Sequence, residues 1–247
     1  MVVVSLLSGC SSLLPATPGL RRGVDVPSRP AHVSDRPLRA PAVAPAGTGG
    51  YAFLLTHRDG SPVGWDPCRS VHYVIRPNGA PAGGDDLLRW ALGQISAATG
   101  LSFVDDGATD EAPSEQRARF QPLRYGDRWA PVLVAWSDPV EWPQLKDGVL
   151  GRAGPVPFGL ADRDDERFVS GSAVFNGPEL DLQLRTGQDN KARAVLLHEL
   201  GHLVGLAHVT DPYQVMYPSN AYPLPSYRGG DRRGLALLGA GPCFSDY

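Results

Sequence analysis

The stretch His198-Glu199-Leu200-Gly201-His202-Leu203-Val204-Gly205-Leu206-Ala207-His208 places three imidazoles, one carboxylate and a turn-forming glycine at fixed spacings. In a helix running through about Val204, His198 and His202 lie one turn apart on one face and reach a common point. Imidazole nitrogens converging in this way suit a zinc ion. Glu199 sits next to that face, too close to His198 in sequence to be a convenient third ligand but well placed to touch a water on the metal. Gly205 can adopt the left-handed backbone that ends a helix. The turn it allows brings His208 back to the same point.

Outward from this stretch, Asp189 or Asn190 can cap the helix, and Ala192, Val195, Leu196 and Leu200 give it an apolar face for the core. Upstream, Val71 to Ile75 reads as a strand and Pro77-Asn78-Gly79 as its exit turn. Asp85 to Thr99 follows as a helix, with Leu87, Leu88, Ala91, Leu92 and Ile95 on one stripe and Gly100 as the stop. Leu101 to Val104 and Val132 to Trp136 are further strands, and the polar, uneven Asp105 to Asp127 between them reads as an exposed insertion. Gly and Pro are too dense in Val149 to Phe158 for a central strand, which leaves an edge strand or a loop. Phe168 to Asn176 alternates as a strand, and Gly230 to Leu238, with Asp231 at its start, fits a last helix. This order predicts an α+β domain whose helices pack on one mixed sheet.

The pattern resembles the metzincin metallopeptidases, in their matrixin-like branch. Their HExxHxxGxxH motif matches at His198, Glu199, His202, Gly205 and His208 without departure, a coincidence expected by chance about once in ten thousand such chains or less. Val215-Met216-Tyr217-Pro218 is similar to the family's Met-turn, whose methionine lies beneath the metal. Asp231-Arg232-Arg233-Gly234-Leu235 is similar to the start of the matrixin C-terminal helix, where the aspartate supports that turn; the other reading is a plain N-cap. The resemblance is specific over about Ala192 to Gly239. It implies a zincin-like catalytic domain: a twisted mixed sheet with about three helices, one of them carrying HExxH.

What the resemblance implies chemically is peptide hydrolysis. His198, His202 and His208 hold one zinc, whose remaining position takes a water with a pKa lowered toward about 7. Glu199 takes the proton from that water and passes it to the leaving amine. Tyr217, Pro218 and Tyr222 wall the pocket for the substrate side chain after the cut, and the edge near Val149 to Gly154 pairs with an extended substrate backbone. Many matrixins hold a second zinc through upstream histidines. No histidine lies between His72 and His198, so one zinc is expected. His32, His57 and His72 read as solvent or hydrogen-bonding residues. Calcium is left open at Asp162, Asp164, Asp165 and Glu166, a run that reads as a solvated loop because it lacks calcium-loop spacing.

Composition bounds the rest. A net charge of -3 argues against nucleic acid as a partner. Only Lys146 and Lys191 among the 23 basic residues are lysines, a coding bias rather than a function. Residues 1–16 read as an export signal, with an apolar run shorter than the roughly 20 residues of a membrane span. Leu7-Ser8-Gly9-Cys10 is similar to the bacterial lipoprotein box, so Cys10 is the lipidation candidate and the only route to a membrane; an ordinary export signal or an unstructured end is the alternative. Residues 17–50 read as a disordered tether and 51–247 as the catalytic domain. Cys68 and Cys243 form an even pair open to one disulfide. Two separate buried thiols remain an alternative, as does a latency role for Cys68, though Trp65-Asp66-Pro67-Cys68-Arg69 does not match the propeptide motif of such enzymes. The expectation is an exported zinc endopeptidase that acts as a monomer on protein or peptide substrates, without a propeptide domain. The competing readings are a zinc-binding surface protein without proteolysis and a zinc amidase of cell-wall bonds.

Overall fold

The computed structural model describes residues 26–30, 33–159, 164–219 and 222–245. The export signal with Cys10, the first part of the tether, His32 and Asp162 lie outside the described residues. Five strands form one sheet in the order β2-β1-β3-β5-β4: β1 (Val71–Arg76), β2 (Phe103–Ala108), β3 (Val132–Ser137), β4 (Gly151–Phe158) and β5 (Arg167–Asn176). The first four in that order are mutually parallel and β4 is antiparallel to β5. The domain is therefore α+β on a mixed sheet, as its element order predicts.

Among the described residues five α-helices accompany the sheet, with a short 3-10 turn at Pro143–Leu145: α1 (Gly84–Thr99), α2 (Pro122–Tyr125), α3 (Gly177–Arg185), α4 (Asp189–Val204) and α5 (Gly229–Leu238). The expectation of about three is corrected by α2 and α3. The second was readable, since Asn176 accepts the Glu179 N–H as an N-cap and Pro178 sits in the first turn. The cap expected for α4 is also displaced, because Asp189 is already inside the helix and Gln188 precedes it.

Strand alternation sorts side chains onto two faces. Val132, Val134 and Trp136 of β3 join Val71 and Tyr73 of β1 and Phe175 of β5 in the main core, beneath α1, α4 and α5. Leu133, Ala135, Val74 and Val174 point the other way, to a second small core closed by Leu145 with Trp142, Tyr125 and Val149. Burial on both faces is what a parallel sheet requires.

The stretch Asp105 to Asp127 is mostly exposed, as its polarity suggests, but it is anchored at a buried residue. Glu111 is buried and takes a bidentate pair of hydrogen bonds from Arg117, which also donates to Ser170 Oγ, Gly171 O and Pro131 O. Polar residues line it because it is anchored by a buried ion pair.

The segment 33–50 likewise departs from a free tether. It has no helix or strand, yet Leu38 N–H donates to Pro67 O and Arg233 donates to Gly49 O. Gly49 packs so closely on Gln214 and Gly230 that a side chain there would collide with both. Cys68 and Cys243 are joined by a disulfide, with Cα atoms 5.4 Å apart, inside the usual range. Among the described residues no helix is long and apolar enough to cross a membrane.

Candidate active site

Helix α4 ends where Gly205 takes φ 119°, and the chain turns. A Cβ at that position would also meet Leu238 and Phe168 at 2.8 Å, so glycine is needed for space as well as for conformation. The returning strand is held by the segment before β1: Leu54 N–H donates to Gly205 O and Ala207 N–H to Ala52 O. His208 is thus placed by backbone pairing on both sides of the turn.

The Nε2 atoms of His198, His202 and His208 stand 3.1 Å from one another in every pair. On the far side of two of these rings the Nδ1 atoms meet carbonyl oxygens, His198 that of Val215 at 2.8 Å and His202 that of Leu206 at 2.7 Å. A carbonyl only accepts, so each Nδ1 carries the proton and donates it, and each Nε2 turns an unprotonated lone pair inward. Burial drives the His198 imidazole down to about 4 and that of His202 to about 3, and it lowers His208 as well. All three are therefore neutral at pH 7.

Two inward lone pairs, with the Nε2 of a third neutral imidazole equidistant from both, fit a cation. The centre of their triangle is about 1.8 Å from each nitrogen, which lies within reach of a zinc–nitrogen bond of about 2.0–2.1 Å. Among the described residues one other trio gathers, Asp66 with Cys68 and Cys243, and there both sulfurs are spent in the disulfide. Among the described residues of the acidic run no such trio gathers, and Asp164 accepts Arg58 N–H.

Glu199 is buried beside the histidines, against the start of β4. Its carboxylate accepts the Ala153 backbone N–H, and desolvation pushes the carboxyl up to about 8 despite that bond and the Arg152 charge. Gly151 makes room for it, because an added Cβ would stand 2.8 Å from Glu199 Cγ. Sequence reasoning missed Gly151 and Ala153; the Gly-rich start of β4 was the available signal.

Met216 is buried under the histidine helix at Gly201, where a Cβ would come within 2.5 Å of the Met216 sulfur. Asp231 fixes this turn, accepting Val215 N–H at 2.9 Å and Met216 N–H at 3.2 Å, and also the Arg228 N–H at its own helix start. Asp231 is therefore not the plain N-cap: Arg228 is the N-cap of α5, and Asp231, at the third helical position, accepts its N–H while supporting the turn. Of the expected pocket wall, Tyr217 is half-buried, Pro218 is exposed, and Tyr222 is exposed with its ring tilted against Tyr213 at 6.0 Å. Tyr227 is structural: its buried hydroxyl donates to Leu197 O at 2.7 Å, tying the loop back to α4.

A helix bearing two of three convergent histidines, with a buried carboxylate against an antiparallel edge strand, defines a zincin-like domain. Residues 146–228 match the family model described as Matrixin, a peptidase family, over a span that runs from just before β4 to the start of α5. Over that span the chain is similar to the matrixins, a zinc-dependent metallopeptidase family.

Proposed function

We propose that this protein is an endopeptidase that holds one zinc ion through His198, His202 and His208 and uses Glu199 as general base. The observation that carries the reading is the convergence of the Nε2 atoms of three neutral imidazoles beside a buried carboxylate. Zinc bound there would supply a Lewis acid that polarises a carbonyl and makes a water acidic near neutrality. Glu199 then receives a proton on its carboxylate and returns it to the leaving amine nitrogen. Its high proton affinity suits this shuttle, and a cation at the histidines would keep it ionised before the proton arrives. Gly151 and Ala153 offer backbone groups to an extended substrate, and Tyr217, Pro218 and Tyr222 would wall the pocket beyond the cut.

We also propose that the protein works outside the cytoplasm, at a cell surface or secreted. The Cys68–Cys243 disulfide favours an oxidising compartment. Whether Cys10 carries a lipid is tested by metabolic labelling with a fatty-acid probe in wild type and Cys10→Ser.

The test of the activity is Glu199→Ala. It should retain one zinc per chain and lose cleavage of a peptide library by at least a hundredfold, the usual scale for removing a general base. Undiminished cleavage would overturn the assignment. Retained zinc with no turnover in wild type either, on peptides or on cell-wall fragments, would favour a binding protein.

A further inference from the structure

The outer edge of β4 beside Glu199 has backbone N–H groups at two residues, the buried Gly151 and the half-buried Ala153, and then prolines. Antiparallel pairing to β5 aligns Gly151 with Phe175, Ala153 with Ala173 and Pro155 with Gly171. Asn176 N–H donates to Leu150 O, so the even-numbered residues Leu150, Arg152, Gly154 and Val156 turn their backbone groups toward β5. Ala153 N–H points the opposite way, to the Glu199 carboxylate. The odd-numbered residues Gly151, Ala153 and Pro155 therefore face outward, on the edge of the sheet that β5 does not cover, and Pro157 follows them across a register shift between Val156 and Pro157.

Proline has no N–H. The edge thus carries backbone N–H groups at Gly151 and Ala153, the latter directed at Glu199, and carbonyl acceptors only at Pro155 and Pro157. We propose that Pro155 and Pro157 set the length of substrate backbone this edge can hold. This rests on the peptidase reading above. A strand docked past Ala153 can donate to the Pro155 carbonyl, but its own carbonyl finds no donor in return, whether it runs parallel or antiparallel to β4. Prolines on an exposed edge commonly serve to block unwanted strand pairing. Here the block is selective, since the two unblocked positions adjoin the one carboxylate that the chemistry needs. The substrate this edge fits is a loop or tail extended for only a few residues, rather than a long strand.

The experiment starts from a peptide that the wild-type zinc enzyme cleaves in a library. That peptide, labelled with a fluorophore, is lengthened one residue at a time at each end in turn. Its Kd is measured by anisotropy on the zinc-loaded Glu199→Ala protein and on the same protein carrying Pro155→Ala and Pro157→Ala. On the parent, affinity should rise with length and then level off along one end. On the double proline variant the levelling should move outward, with the longest peptides bound about two- to tenfold tighter per restored donor. Pro155→Ala alone should give most of the gain, and Pro157→Ala alone little, because the gap at Pro155 remains. Zinc content and melting temperature show that each variant is folded. Continued tightening on the parent, or the same length dependence in all four proteins, would overturn the proposal. Absence of any cleaved peptide would instead overturn the peptidase reading, and the proposal with it.

Discussion

Between Gly151 and Glu199 there is no room for a methyl group. A Cβ at Gly151 would stand 2.8 Å from Glu199 Cγ and 3.2 Å from the ring of Phe175, and Phe175 is fully buried, so Glu199 is the side chain that must give way. Gly151→Ala should therefore leave zinc content unchanged and reduce kcat about ten- to a hundredfold, since a shift of about 1 Å in a reacting group costs that much. Steady-state kinetics with metal analysis checks this, and an unaltered kcat would contradict it. Gly201 poses the complementary case. Its added Cβ would press on the Met216 sulfur, a flexible and polarizable partner, so Gly201→Ala should cost about 1–3 kcal/mol of stability through overpacking rather than abolish the site. Urea denaturation measures the cost. Neither close approach is marked in the sequence: Gly205 announces itself as a helix stop, whereas Gly151 and Gly201 matter because of residues 48 and 15 positions away.

At the scale of elements, the periodic ones were legible and the polar-anchored ones were not. Helix α1, strands β1, β3 and β5 and the histidine helix follow from apolar spacing, and the edge position of β4 follows from its prolines. The exposure of Asp105 to Asp127 was legible from its polarity, but its anchor was not, because Arg117 reaches Ser170 and Gly171, far along the chain, and no local pattern records such bonds. Its ion pair gives a pH test. Burial alone would raise the Glu111 carboxyl, but hydrogen bonds from Arg117, Tyr125 and Gln121 outweigh it and hold the group below its ordinary range. The ionised form is thus favoured by folding. The stability it contributes is fully present above the unfolded value of about 4.3 and is lost as pH falls through the lower folded value. In Glu111→Gln the acid side of the melting-temperature profile, from about pH 5 downward, should be flatter than in wild type. Parallel profiles would show that Glu111 is not held this way. The same logic of long-range polar anchoring explains Asp231, whose place at the start of a helix was readable but whose bonds to Val215 and Met216 came only with a resemblance to suggest them.

For the molecule as a whole, composition misled where backbone geometry decides. Residues 33–50 look like a tether because they lack an apolar period, and most are exposed, yet at 48–50 the backbone lies close on the start of α5 and on Gln214, next to the Met-turn. Cysteine parity did point to the Cys68–Cys243 link, although parity alone cannot bring two ends of a chain together. That link joins the entrance of β1 to the segment after α5, closing a loop across a sequence separation of 175. Asp66 reinforces it by accepting Cys68 N–H and Phe244 N–H. The zinc-site residues are positioned by other means: α4, the turn at Gly205, the pairing with Ala52 and Leu54, and Asp231. Stability and activity should therefore separate when the disulfide is removed. The chain-entropy model gives about 5 kcal/mol for a loop of this size, and measured losses for native disulfides are about 2–5 kcal/mol. In a domain of this length each kcal/mol lowers the melting temperature by about 2–4 °C. Cys68→Ser with Cys243→Ser should thus melt about 5–15 °C lower, while kcat at 15 °C stays within about twofold of wild type. A matching loss of kcat at that temperature would mean that the chain ends, and not only the local turns, hold the histidines in place.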